Sequence, residues 1–193
     1  MKRIDTFVED FGKALANQNA LTVQDVKALE KTYRDQNDIT FEEFLLTEGL
    51  VDKAQLLKAM TEYYQVQAID VQGLFFDHYL LSLFPKDVMI RLGFIPYKRD
   101  GDILTVIAAN PYHPLLAHLI NKYIVHDIVF RVGLLTDIRN AVQEFYDSSL
   151  TPNPNSIQNA RMERSQIDVH ETNEPDFRIP EDVQETIDDY ESH

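Results

Sequence analysis

The sequence predicts an α+β fold: an N-terminal four-helix repeat subdomain, a small mixed β-sheet subdomain packed with helices, and a disordered C-terminal tail. Three observations predict it. Apolar residues recur at three- and four-residue steps from Ile4 to Gln65. An Asp100-Gly101 pair lies between two apolar, β-branched runs. Beyond residue 150 the chain becomes polar, proline-punctuated and acidic. The boundaries fall at 1–66 for the helical repeat, 67–148 for the α+β part and 149–193 for the tail.

The first helix carries Ile4, Phe7, Val8, Phe11 and Leu15 on one face and ends at Asn17-Gln18-Asn19. Thr22 is the N-cap of a second helix holding Val23, Val26, Leu29, Glu30 and Tyr33, which Asp35-Gln36-Asn37-Asp38 ends. Thr40 with Glu43 makes a capping box for a third, carrying Phe41, Phe44 and Leu45. Gly49 supplies a left-handed C-cap, and Asp52 with Gln55 caps a fourth helix through Leu56, Met60 and Tyr63. A shift of 30 residues sets Phe11 on Phe41, Leu15 on Leu45, Asn19 on Gly49, Thr22 on Asp52, Val26 on Leu56 and Tyr33 on Tyr63. That is a duplicated helix–turn–helix whose apolar faces stack together.

After Gln65 the pattern changes. Val66–Val71 reads as a short strand, and Tyr79, Leu80, Leu83 and Phe84 as a helical turn. Pro85 starts a helix that Gly93 stops. Phe94–Tyr97 and Ile103–Ala108 form a hairpin around Asp100-Gly101, and Asn110-Pro111 turns the chain into a helix holding Leu115, Leu116, Leu119 and Ile120. Ile128, Phe130 and Val132 alternate in a strand, and Thr136 caps a last helix with Ile138, Val142, Phe145 and Tyr146.

The formal charge is −14, of which −8 belongs to residues 151–193 and −6 to the rest. A chain this acidic does not attract a nucleic-acid backbone through its bulk field. No apolar run approaches the 18 residues a membrane span needs, and Asp5, Glu9 and Asp10 occupy the stretch a signal peptide keeps apolar. The expectation is a soluble cytoplasmic protein. With no cysteine, disulfides, thiolate nucleophiles and Cys-ligated metals are excluded.

Six isolated glycines leave neither a P-loop nor a dinucleotide fingerprint, so no phosphate cradle is encoded. His113 and His118 are five apart, off the spacing that converges on a metal, and no Ser/His/Asp set stands out. Asp100 and Asp102 belong to a turn that selects them. The reading is a non-enzyme with no catalytic residue, no metal site and no cofactor. Lys86, Arg91, Lys98 and Arg99 are the densest basic group, suited to an anionic ligand or acidic partner or simply solvated. In the tail, Pro180 opens a possible short helix over 180–191, on which Val183, Ile187 and Tyr190 form one stripe of a linear docking motif.

The run Phe41-Glu42-Glu43-Phe44-Leu45-Leu46-Thr47-Glu48-Gly49-Leu50-Val51-Asp52, with Gln55-Leu56 and Ala59, has leucines before a glycine and an acidic cap after it. Ala68-Ile69-Asp70-Val71, Leu83-Phe84-Pro85, Phe94-Ile95-Pro96-Tyr97, Ala108-Ala109-Asn110-Pro111 and Phe145-Tyr146 follow in order. Together, over residues 7–147, these resemble the N-terminal (MshE N-terminal-like) domain of type II secretion and type IV pilus assembly ATPases, without the ATPase module. The resemblance implies a non-catalytic domain that docks a motor to membrane-anchored machinery. The same module is attached to some inner-membrane glycosyltransferases, and one subset binds cyclic di-GMP through two copies of the helical repeat. Two functions follow. One is an adaptor or regulatory protein with protein partners in a secretion, pilus or envelope-synthesis apparatus. The other is a cyclic-dinucleotide sensor, for which the resemblance nominates Phe11, Leu15, Phe41, Leu45, Leu46 and Gly49. Ligand-binding members begin each repeat with Arg-Leu-Gly; here the same places hold Asp10-Phe11-Gly12 and Thr40-Phe41-Glu42.

Overall fold

The computed structural model describes residues 2–33 and 39–150, with side chains placed for 7–33 and 39–147. The Asp35–Asp38 break, the Ile4 side chain and every reading of the tail lie outside the described residues.

Four helices come first: α1 (Lys2–Asn17), α2 (Val23–Tyr33), α3 (Phe41–Thr47) and α4 (Lys53–Tyr64). The repeat seen in sequence is repeated bond for bond. Before α2, the Thr22 hydroxyl oxygen accepts from the Asp25 amide at 3.2 Å while the Asp25 carboxylate accepts from the Thr22 amide at 2.9 Å. Before α4, the Asp52 carboxylate accepts from the Gln55 amide at 2.8 Å and the Gln55 side chain accepts from the Asp52 amide at 2.9 Å. Both reciprocal boxes satisfy amides a helix start leaves open. The turns match too. Asn19 and Gly49 both take left-handed backbone, φ 54 and 63, and the next amides, Ala20 and Leu50, reach back to Leu15 at 3.1 Å and Leu45 at 2.9 Å. That six-to-one bond is the Schellman closure, and it needs a residue tolerant of positive φ.

The faces so oriented share one core. Phe11 and Phe41, equivalent residues, meet edge-on at 6.3 Å. Tyr33 packs on Phe41 at 5.1 Å and Tyr63 on Phe11 at 5.7 Å, so each tyrosine rests on the other repeat's phenylalanine. Leu15, Leu45, Leu56 and Ala59 complete a fully buried centre.

The second half comprises α5 (His78–Ser82), α6 (Lys86–Leu92), β1 (Phe94–Asp100), β2 (Ile103–Ala108), α7 (Leu116–Asn121), β3 (Asp127–Val132) and α8 (Leu135–Leu150). The sheet order is β1-β2-β3, antiparallel then parallel. The two-residue loop Gly101–Asp102 joins β1 to β2, with positive φ at Gly101 alone; Asp100 is the last strand residue rather than part of the turn. The parallel pair is bridged by α7, the crossover a parallel connection requires. Phe84, Val88, Met89, Phe94, Ile95, Leu104, Val106, Leu119, Ile138 and Val142 form its core.

Three local expectations are corrected. Val66–Val71 is not a strand but a single parallel bridge, Ala68 to Val132. The Ile69 amide reaches the Val132 carbonyl at 2.9 Å, and then the Asp70 carboxylate captures the Gln72 amide at 3.0 Å and turns the chain away. Thr136 is not an N-cap: α8 already starts at Leu135, its first amide bond running from Ile138 to Leu134 at 3.0 Å. Leu134 is buried among the N-terminal helices, so packing sets that start. The helix after Pro111 begins only at Leu116, because Asn110 and His113 hold successive turns before it.

Candidate functional site

The two halves meet along a seam built by the second repeat. Lys53, first residue of α4, places its ammonium 2.6 Å from Asp70 and 2.8 Å from Asp137 in the first turn of α8. Gln72 donates to the other Asp137 oxygen at 3.1 Å. Burial works against the Lys53 charge, but the Asp137 and Asp70 carboxylates outweigh it and hold its pKa above the ordinary lysine value. Burial likewise opposes the Asp70 charge, and Lys53 with the Gln72 amide pulls its pKa below the ordinary aspartate value. Further along, the Ala68 amide donates to the Thr61 hydroxyl at 2.9 Å, and the Tyr112 hydroxyl to the Tyr64 carbonyl at 2.5 Å. Val132 and Leu134 insert into the helical core. Sequence reasoning missed this latch, because Lys53 and Asp137 are far apart in the chain and no local pattern joins them.

Two adjacent grooves open beside the seam. One, of about 350 Å³, is lined by Phe7, Tyr33, Phe41, Glu42, Tyr64 and Leu135 among others; its neighbour, about 220 Å³, by Glu42, Glu43, Leu46, Thr47 and Asp137 among others. Glu42 reaches both. Burial holds its carboxyl above the ordinary range despite the hydrogen bonds from its own amide and Thr40, and its charge helps push the buried Tyr64 hydroxyl upward. No lysine or arginine lines either groove. They suit an apolar or cationic group better than a phosphate, which asks for guanidinium or ammonium donors.

The residues nominated for a cyclic dinucleotide are divided. Phe11, Leu15 and Leu45 have no surface to offer, being wholly inside the helical core. Phe41 lines the larger groove from below and Leu46 the smaller one. Gly49 is exposed at its turn, with nothing within 4 Å of an added Cβ.

Of the basic group, Lys86 sits 3.6 Å from Asp147 and over the Tyr146 ring. Lys98 and Arg99 lie elsewhere, beside Phe75, Tyr79 and Tyr97 in a groove of about 320 Å³. Phe75 is 96% and Tyr79 68% exposed. Nothing in the hydrophobic periodicity marked Phe75, because it stands in a turn rather than on a stripe. His113 accepts from the Leu115 amide at 3.3 Å, a local cap, and Asp77 caps α5 through the Tyr79 and Leu80 amides. Among the described residues no group of three His, Cys, Asp or Glu could hold a metal, and no helix is long and apolar enough to cross a membrane.

Comparison with known proteins agrees with this architecture. Residues 64–152 match the MshEN domain family. The type IV pilus assembly ATPase PilB of Myxococcus xanthus (strain DK1622) is 22% identical over 135 residues, which is 70% of this chain and 24% of that protein. The chain thus spans about a quarter of the length of the curated relative it matches. Among solved structures, one of MshE with cdg aligns at a TM-score of 0.57 and 17% identity, covering 70% of this chain and 98% of that one. The N-terminal domain of XpsE aligns at 0.50 and 16%, covering 69% and 91%. Residues 64–152 thus match the MshEN domain family and, with the helical repeat before them, resemble in fold the N-terminal domain of XpsE and the solved MshE domain.

Proposed function

We propose that the chain is a non-catalytic adaptor or regulatory component of a type IV pilus, type II secretion or related envelope machine, acting by protein–protein contacts. The observation that supports it most is the latched pair of halves: a fold shared with the XpsE N-terminal domain, its helical repeat fixed to the sheet by Lys53, Asp70 and Asp137. Such a fold presents surfaces, and exposed aromatic anchors such as Phe75 and Tyr79 are what partner recognition uses. The helical repeat, 1–66, and the α+β part, 67–148, are its two working units, with 149–193 a third that carries the Val183, Ile187 and Tyr190 motif. The protein works in the cytoplasm and meets the inner membrane through its partner. The test is a pull-down of the full chain from its native cells, read by mass spectrometry. Recovery of a secretion, pilus or envelope-synthesis component supports the reading, and recovery of none overturns it.

A second reading, cyclic-dinucleotide sensing, is favoured by one specific observation. Both repeats keep their capping boxes and left-handed turns, and MshE has been solved with cdg. Against it stand the arginine positions, which hold Asp10 and Thr40, and the half-buried Glu42 where ligand-binding repeats keep glycine. Calorimetry with cyclic di-GMP decides: saturable heat at micromolar ligand establishes sensing, and no heat at high micromolar ligand removes it.

A further inference from the structure

The groove bounded by Phe75, Tyr79, Tyr97, Lys98 and Arg99 carries two of the most exposed large hydrophobic side chains among the described residues. Phe75 leaves nearly its whole ring in water, and Tyr79 about two thirds of its own. Lys98 and Arg99 are exposed and make no ion pair among the described residues. The one carboxylate in the groove, Asp77, is engaged with the Tyr79 and Leu80 amides at 2.9 and 3.3 Å. The surface therefore sets exposed aromatic rings beside two exposed cations, and it asks for an acidic segment with an aromatic or aliphatic stripe.

The chain itself contains such a segment. Residues 180–191 hold six acids and no base, with Val183, Ile187 and Tyr190 at spacings of four and three. The route to the groove is short. The Phe145 ring, in the last described turns of α8, lies 4.8 Å from the His78 ring, next to Tyr79. From Leu150 to Pro180 there are 29 intervening residues, and a chain of that length can extend to at most about 100 Å. A domain of this size has a radius of gyration near 15 Å, so the groove is within reach. The tethered segment meets the groove at an effective concentration on the order of millimolar, so weak contacts suffice.

We propose that residues 180–191 dock intramolecularly into this groove, with Val183, Ile187 and Tyr190 against Phe75 and Tyr79 and the acidic residues beside Lys98 and Arg99. A partner that takes the aromatic pair must displace the tail first. The surface and the tail motif are then one switch rather than two independent docking sites.

The test uses the full chain, whose lack of native cysteine allows a single labelling site at Gln184→Cys, which leaves the stripe and all six acids in place. With a nitroxide there and uniform ¹⁵N labelling, the amide signals of Phe75, Tyr79, Lys98 and Arg99 are expected to be lost, while those of α2 persist. The combined change Lys98→Glu and Arg99→Glu restores the signals, as does Ile187→Asp. Adding Asp182→Lys and Glu185→Lys to the first pair brings the loss back, because opposite charges are again juxtaposed. Raised salt weakens the effect. Persistent signals in the labelled parent, or a loss spread evenly over the surface, overturn the proposal. So does an equal loss when spin-labelled unlabelled-isotope protein is mixed with ¹⁵N protein lacking the nitroxide, since that places the tail on a second copy. A failed pull-down leaves this measurement untouched, so the two readings stand or fall separately.

Discussion

The two helical repeats have the same punctuation and different burial. Caps and turns agree to within a few tenths of an ångström, yet α2 buries only Val26, whereas α4 buries Leu56, Ala59, Met60 and Tyr64. Their first residues are equivalent, Val23 and Lys53. Val23 is 63% exposed and touches no ion, while Lys53 is clamped between two carboxylates of the other half. Local sequence thus fixes where each helix begins and ends, and the neighbour it packs on decides what its faces contain. Of the two second helices, α2 lies on the outside, and α4 is the keystone between the repeat and the sheet.

That contrast predicts its largest effect in the core. Leu56→Ala removes a fully buried side chain at the centre of the shared core and is expected to cost about 3 kcal/mol. Its equivalent, Val26→Ala, removes less volume at a nearly buried site and should cost about 1 kcal/mol. Urea denaturation of each variant measures both, and equal costs would break the distinction between an outer and a keystone helix.

Next comes the latch. Lys53→Met leaves Asp137, 8% exposed, without its counter-charge, and is expected to cost about 2 kcal/mol. That is below the value for a fully buried pair, because Lys53 keeps part of its surface in water. Val23→Met at the equivalent position should move stability by less than about 0.5 kcal/mol. The pH dependence has a definite sign. The lowered Asp70 pKa means its contribution is present above the ordinary aspartate value and lost as pH falls through the folded one. The raised Lys53 pKa means its contribution is present below the ordinary lysine value and lost as pH rises through the folded one. Melting curves of Lys53→Met across pH should be flatter at both ends than those of the parent.

These same residues show how far the sequence could be read. The duplication was legible because capping boxes and left-handed turns are written in side chains three residues apart or in a single Asn or Gly. The hairpin was legible for the same local reason, although its loop proved to be Gly101–Asp102. What resisted was anything set by distant packing. The strand expected at Val66–Val71 dwindled to one bridge once Asp70 turned the chain, and Leu134 rather than Thr136 governs the start of α8. The nominated Phe11, Leu15 and Leu45 came from resemblance, and an apolar residue at helical spacing looks alike whether it faces a ligand or a core. The basic cluster divided because Lys86 and Lys98 stand on different elements, a fact no spacing in the chain records.

A smaller effect separates the turns. Gly49 has φ 63 and nothing within 4 Å of an added Cβ, so Gly49→Ala isolates the backbone cost of left-handed geometry, about 1 kcal/mol. Asn19 already bears a side chain at φ 54, one of the few that tolerates it. Asn19→Gly should therefore raise stability by no more than a few tenths of a kcal/mol. A large gain there would show the first turn to be strained in a way the second is not.

The smallest and most informative change is at a position where one repeat holds a glycine and the other a carboxylate. Gly12 lies under α2, where an added Cβ would come within 2.2 Å of a Val26 methyl. Its equivalent, Glu42, instead extends a carboxyl into the grooves at the seam. Burial raises that carboxyl's pKa, so the folded state resists its ionisation. The sign follows: stability is fullest below the ordinary glutamate value and declines as pH rises from there through the folded value. Glu42→Gln removes the ionisation and keeps the shape, so it should raise the melting temperature slightly at neutral pH and flatten that decline, leaving the acid end unchanged. If Glu42→Gln instead lowers the melting temperature at neutral pH, the charged carboxyl is a stabilising partner of the tyrosines around it. The seam would then be organised by that charge rather than burdened by it.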